Sequence, residues 1–141
     1  MSLIDPEITA RKLAAELDLW DQNAASYARR GWLMLRREPP IIEVAFLARL
    51  PVGGTVIPAI PACVQIDYTN YDLWAPSVEF IDPVTREYAP PPVQALVEVP
   101  GGAQNLLVGG HPDTGRAFLC VPGIRQYHTH PQHTGDGHHC P

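Results

Sequence analysis

The sequence predicts an α+β domain in which one N-terminal helix packs on a four-stranded antiparallel meander, followed by a loop-rich C-terminal half. Three observations predict it. Leu13, Leu17, Trp20, Ala24 and Tyr27 recur at three- and four-residue steps, the period of one helical face. After Gly31 the period drops to two, and short turn signals rather than helical stretches interrupt the chain. In the second half proline and glycine become dense, at Pro90-Pro91-Pro92, Pro100-Gly101-Gly102 and Gly109-Gly110. Proline removes a ladder donor and glycine weakens a strand interior.

Asp5 before Pro6 marks the helix start, because an aspartate caps free amides and proline in the first turn forfeits no hydrogen bond. The helix is expected to end near Gly31. Trp32 to Arg36 and Ile41 to Leu47 read as the first two strands, separated by Glu38-Pro39-Pro40. Ile42, Val44 and Phe46 face one way, Glu43 and Ala45 the other. Val52-Gly53-Gly54-Thr55 is a hairpin-like break before a strand carrying Val64, Ile66 and Tyr68, and Ser77 to Ile81 closes the series at Asp82-Pro83. Further on, Val93 to Val99, Asn105 to Val108 and Phe118 to Val121 read as short pieces among loops.

The 141 residues fit one domain, 1–141, which buries roughly two thirds of its unfolded surface. A net charge of -5 without an arginine or lysine block argues against nucleic acid, whose phosphates demand a basic footprint. Residues Met1 to Pro6 form no charged or apolar leader, and no apolar run approaches the ~20 residues of a membrane span. A soluble cytoplasmic protein without a membrane partner is expected. The glycine pairs lack the spacing and the lysine of a phosphate-binding loop. Lys12 is the only lysine.

Cys63, Cys120 and Cys140 cannot all pair within one chain, so reduced thiols are expected. Cys63 reads as a buried small hydrophobe, and Cys140 belongs to a His138-His139-Cys140 tail. Reactive side chains concentrate elsewhere. His111-Pro112-Asp113 is followed by a six-residue spacer, Cys120, Tyr127-His128-Thr129-His130 and His133. Cys120 follows Phe118-Leu119 and precedes Val121-Pro122-Gly123, the end of an extended piece, where Arg116, Arg125 or a protonated histidine would favour the thiolate. On an extended segment His128 and His130 would project to one face, with Asp136 able to orient a ring. Thiolate and imidazole also suit zinc, so Cys120, His128, His130 and His133 form an alternative metal set.

The order of these pieces resembles a ubiquitin-conjugating enzyme. There, too, a helix and a four-strand meander lead through a stretch like Tyr68-Thr69-Asn70-Tyr71-Asp72-Leu73-Trp74-Ala75-Pro76-Ser77-Val78-Glu79-Phe80 to a His-Pro-Asn turn and a thioester-forming cysteine. Here Asp113 replaces the asparagine and the spacer is slightly shorter. Cys120, His128 and His130 also resemble a bacterial group with a Cys, Glu, His, His signature, found in antiphage operons for ubiquitin-like conjugation, with Gln126 at the glutamate position. The resemblance implies a transferase without cofactor. Cys120 would take a ubiquitin-like protein from an activating enzyme as a thioester and pass it to an amine of a target protein. His111 and Pro112 would shape the adjoining loop, and His128 and His130 would orient the thiol or accept the amine proton. An ionised Asp113 cannot donate to an oxyanion, so its implied role is structural or basic. The rival expectations are a non-catalytic zinc module and an inactive adaptor of the same fold.

Overall fold

The computed structural model describes residues 2–71, 73–90 and 96–133. Pro91, Pro92, the first part of the Val93 to Val99 piece, Asp136 and the His138-His139-Cys140 tail lie outside the described residues. Helix α1 spans Pro6–Arg29. The Asp5 carboxylate accepts from the Glu7 amide at 2.8 Å, which satisfies one of the free donors of the first turn. At the other end the chain turns at Gly31, with φ +82, and a Cβ there would lie 2.5 Å from the Leu47 carbonyl oxygen. Only glycine allows both the left-handed turn and this approach.

Four strands follow: β1 Trp32–Glu38, β2 Ile41–Val52, β3 Thr55–Asp67 and β4 Ser77–Phe80. They form one antiparallel sheet in sequential order. The fold is α+β, as the periodicities predict. Leu13 and Leu17 of α1 are buried against Ile42, Val44, Val64 and Phe80. Trp20 and Tyr27 continue the contact through an aromatic series, Tyr27 to Trp32 at 5.2 Å and Trp32 to Phe46 at 6.1 Å between centroids. Ala24, placed on the stripe by its spacing, is exposed.

The opposite face holds a feature the alternation does not show. β1 and β2 pair Met34 with Val44 but Arg36 with Glu43, so the register shifts at Leu35. One extra residue turns Arg36 from the helix side to the far side. There it meets Glu43 at 3.4 Å, and Arg86 meets the other carboxylate oxygen at 3.4 Å. Glu43 is 2% exposed, so the two guanidiniums offset the loss of its hydration. Ala45, Cys63 and Ile81 form the apolar part of this face.

The rest of the described chain is short pairs: β5 Leu96–Val99 with β6 Gly102–Asn105, and β7 Leu107–Val108 with β8 Phe118–Leu119. Leu107 and Leu119 pack on the helix-side core, so β7 and β8 sit on the same sheet face as α1. Helix α2, Arg125–Thr129, closes the described chain near β4 and β8.

Because Leu13 is fully buried, Leu13→Ala is expected to lower unfolding stability by about 2–5 kcal/mol. Leu19→Ala, at a 54% exposed position on the same helix, should change it by no more than about 0.5 kcal/mol. Urea titration with an unchanged m-value checks both.

Candidate functional site

The candidate residues lie on three segments: the turn from His111 to Arg116, Cys120 directly after β8, and α2 with the residues that follow it; ring contacts join the first to the third, and Cys120 lies between them in sequence. The turn closes on itself, with the Gly115 amide donating to the His111 carbonyl at 2.7 Å and the His111 amide to the Arg116 carbonyl at 2.9 Å. Gly115 adopts φ +67, the left-handed conformation that such a closure uses.

The His111 ring is 2% exposed and uses both nitrogens. The Asp113 amide donates to Nδ1 at 3.2 Å, so Nδ1 carries no proton. A neutral ring then has its proton on Nε2, which stands 3.0 Å from the Gln126 carbonyl and 3.2 Å from Thr129 Oγ1. The imidazole therefore ties the turn before β8 to the helix beyond Cys120. Phe118 meets it edge-on at 4.9 Å.

A five-residue helix does not hold itself together, and α2 is anchored from outside. The Gln126 amide accepts from the Val78 backbone at 3.1 Å and donates to Ser77 Oγ at 2.7 Å, gripping β4. Glutamine, which donates and accepts, meets both needs at once. The Arg125 amide donates to the Pro76 carbonyl at 2.9 Å. Its guanidinium donates to the Thr69 carbonyl at 2.7 Å and the Ala75 carbonyl at 3.1 Å, and lies over Trp74 at 5.5 Å. Burial pulls the Arg125 side chain below the usual guanidinium range, with the Asp67 carboxylate opposing.

Cys120 is half-buried, and its amide donates to the Leu106 carbonyl at 2.8 Å. It stands immediately past the end of β8, which stops at Leu119 rather than running to Val121 as expected. The arginines expected to favour its thiolate are engaged elsewhere: Arg116 with Glu79 at 2.9 Å and over Tyr88 at 5.0 Å, Arg125 as described. Cys63, by contrast, is 3% exposed. Burial pushes its thiol up, and Glu43 and Asp82 push the same way.

The segment of His128 and His130 is not extended, so the expectation that their rings share a face is corrected. His128 lies inside α2 and is buried, and His130 is the first residue beyond the helix, half-exposed with extended backbone. Local backbone bonding, such as Tyr127 amide to Ile124 carbonyl at 3.1 Å, bends the segment into a helical turn. His130 stacks on Phe118 at 5.8 Å and meets His111 edge-on at 5.9 Å, while His133 stacks on Tyr127 at 4.0 Å. The Asp113 side chain is exposed on the turn. Among the described residues no three of His, Cys, Asp and Glu come together as a metal-holding group. No helix of the described residues is long and apolar enough to cross a membrane.

Residues 4–114 match the model of the Y4jH-like family. The chain belongs to the Y4jH family. Within it, the chain aligns at 27% identity with the uncharacterised protein y4jH of Sinorhizobium fredii, over 96% of this chain and 74% of that protein. The family match takes in α1, the four-stranded sheet and His111-Pro112-Asp113, and stops before Cys120. Neither description names a reaction, so the chemistry is argued from the residues.

The two described cysteines should differ in reactivity. At pH 8 a brief iodoacetamide treatment of the native protein is expected to label Cys120 and leave Cys63 unmodified, as read by peptide mass mapping, because the raised Cys63 thiol stays protonated and enclosed.

Proposed function

We propose that the chain is a ubiquitin-conjugating-like transferase that carries a ubiquitin-like protein as a thioester on Cys120 and transfers it to an amine of a target protein. The observation that supports the reading is one partly exposed cysteine that lies, in sequence, between two segments that a buried His111 fastens together. A nucleophile at a strand end, with its flanks fixed, is rigidly held and reachable.

In the first step the Cys120 thiolate attacks the thioester carbonyl presented by an activating enzyme, and that enzyme's cysteine leaves as thiolate. In the second, a target amine attacks the new thioester, the Cys120 sulfur leaves, and the amine loses a proton. His130 is the better placed of the two histidines to take that proton, since its ring is half-exposed whereas His128 is enclosed in α2. His111 is a positioning residue, because both ring nitrogens are occupied in holding the turn. Asp113 serves the turn through its amide, and its exposed carboxylate offers no donor to an oxyanion. The partners of this reading are an activating enzyme, a ubiquitin-like protein and a target, in bacterial antiphage conjugation.

The zinc module built on Cys120, His128, His130 and His133 draws less support, because that set requires His128 and His130 on one face and α2 separates them.

Incubation with ATP, an activating enzyme and its ubiquitin-like partner is expected to give an adduct cleaved by thiols. Cys120→Ser should abolish it or convert it to a thiol-resistant ester, as seen on non-reducing gels. An adduct that survives Cys120→Ser with its thiol sensitivity intact would place the carrier elsewhere.

A further inference from the structure

Strands β2 and β3 run past both of their neighbours. β1 pairs with β2 only as far as Phe46, and β4 pairs with β3 only from Val64, so Ala48 to Pro61 form a two-stranded arm with no strand on either side among the described residues. Isolated ribbons of this kind are marginal in water. This one is nevertheless apolar: Val52, Val56, Ile57 and Ile60 are 55, 51, 41 and 48% exposed, and Arg49 is its one charged residue.

Gly53 and Gly54, with φ +57 and +81, make a two-residue turn that pairs Val52 with Thr55. In such a hairpin Val52 and Thr55 bond to each other, and the rungs Pro51 with Val56 and Arg49 with Pro58 direct their backbone groups outward. Two of those four outward amide positions are prolines. Neither edge of the arm can therefore continue a regular ladder with another strand, and fewer backbone donors are stranded if the arm leaves water.

Charge is segregated around the neck. The Leu47 amide donates to the Gly31 carbonyl at 2.7 Å, so the end of α1, with Arg29 and with Arg30 over Trp32, joins the sheet two residues before Arg49 at the start of the arm. All three are exposed, and none forms an ion pair among the described residues. From residue 22 to 37 and from 44 to 66 the sequence contains no carboxylate. In a chain of net charge -5 the arm's uncharged tip is thus followed on its β2 side by arginine, while Asp82 lies by Ile60 and Pro61 at the base of β3.

We propose that the arm is a peripheral membrane contact, inserting its Pro51–Ile57 tip at the surface of an anionic lipid bilayer with Arg49 at the level of the headgroup phosphates and Arg29 and Arg30 behind it. Arg49 lies three residues behind Val52, about 10 Å along the strand, which matches the ~5–10 Å depth of interfacial insertion. A second copy is disfavoured as occupant, because a two-fold contact through the arm would crowd the same three arginines of both chains. The tip offers β-branched and proline side chains rather than the aromatic anchors that dominate protein interfaces, and a fluid partner needs no shaped complement. The sequence argument against a membrane partner concerned spans and does not bear on a hairpin that lies at the interface. The inference stands independently of the thioester reading.

The test is flotation of the full chain with vesicles of phosphatidylcholine containing about one third phosphatidylserine, against phosphatidylcholine alone. Co-flotation is expected with the anionic vesicles only, and should fall on raising salt from about 0.1 to 0.5 M. Arg49→Ala should weaken binding about five-fold, the equivalent of the ~1 kcal/mol that one arginine contributes near an anionic surface. Val56→Asp should abolish it, and Val52→Ser, a milder change at the same tip, should reduce it with unchanged circular dichroism. Absence of flotation with anionic vesicles, equal flotation with neutral ones, or binding indifferent to the tip substitutions would overturn the proposal. Failure to float combined with loss of thioester formation in Val56→Asp would assign the arm to a protein partner instead.

Discussion

One buried imidazole holds the C-terminal half of this protein in register. His111 accepts a backbone hydrogen bond on one nitrogen and donates on the other, and the two partners belong to segments on opposite sides of Cys120. Neither segment has much order of its own. The turn spans a few residues, and α2 is a single helical turn. Their geometry is borrowed, through Gln126 and Arg125, from β4 and the loop that leads into it. Cys120 lies between these two segments in sequence, and its own amide is tied to the Leu106 carbonyl.

The sheet itself separates two kinds of work. Its helix side is hydrocarbon, with α1, β7 and β8 covering one continuous core. Its far side buries a carboxylate between two arginines and encloses Cys63. A buried thiol whose ionisation is opposed by burial and by two carboxylates is suited to packing, whereas a half-exposed thiol at a strand end is suited to exchange. The two described cysteines thus stand in different surroundings, one enclosed and one partly exposed.

Elements that stabilise themselves were legible in the sequence. The α1 stripe apart from Ala24, the Asp5-Pro6 start, the Gly31 stop and the existence and order of β1 to β4 each carry a local signal, and each is present in the fold. Elements that depend on distant partners were not. Tyr127 to His130 has no helical periodicity to read, and its turn exists because β4 and the 69–76 loop grip Arg125 and Gln126. The second strand was expected to end at Leu47 and the third to carry Val64 to Tyr68, but β2 runs on to Val52 and β3 begins at Thr55, through Pro51, Pro58 and Pro61. At the free edge of a ribbon two of them cost no ladder bond, so the strands run on. The Leu35 bulge, which turns Arg36 toward Glu43, left no mark in composition or spacing. At the candidate site, the motif and spacing singled out His111 and Cys120, but the contacts of Gln126 and Thr129 become visible only once their partners are in place.

The most direct test of the account is the protonation of the His111 ring in the folded protein, read from its nitrogen-15 shifts at neutral pH and assigned by comparison with His111→Gln. The clamp requires a bare Nδ1 and a protonated Nε2, held as one tautomer. A proton on Nδ1, or a ring averaging between both forms, would contradict it, since the Asp113 amide and the Gln126 carbonyl could not then both be bound.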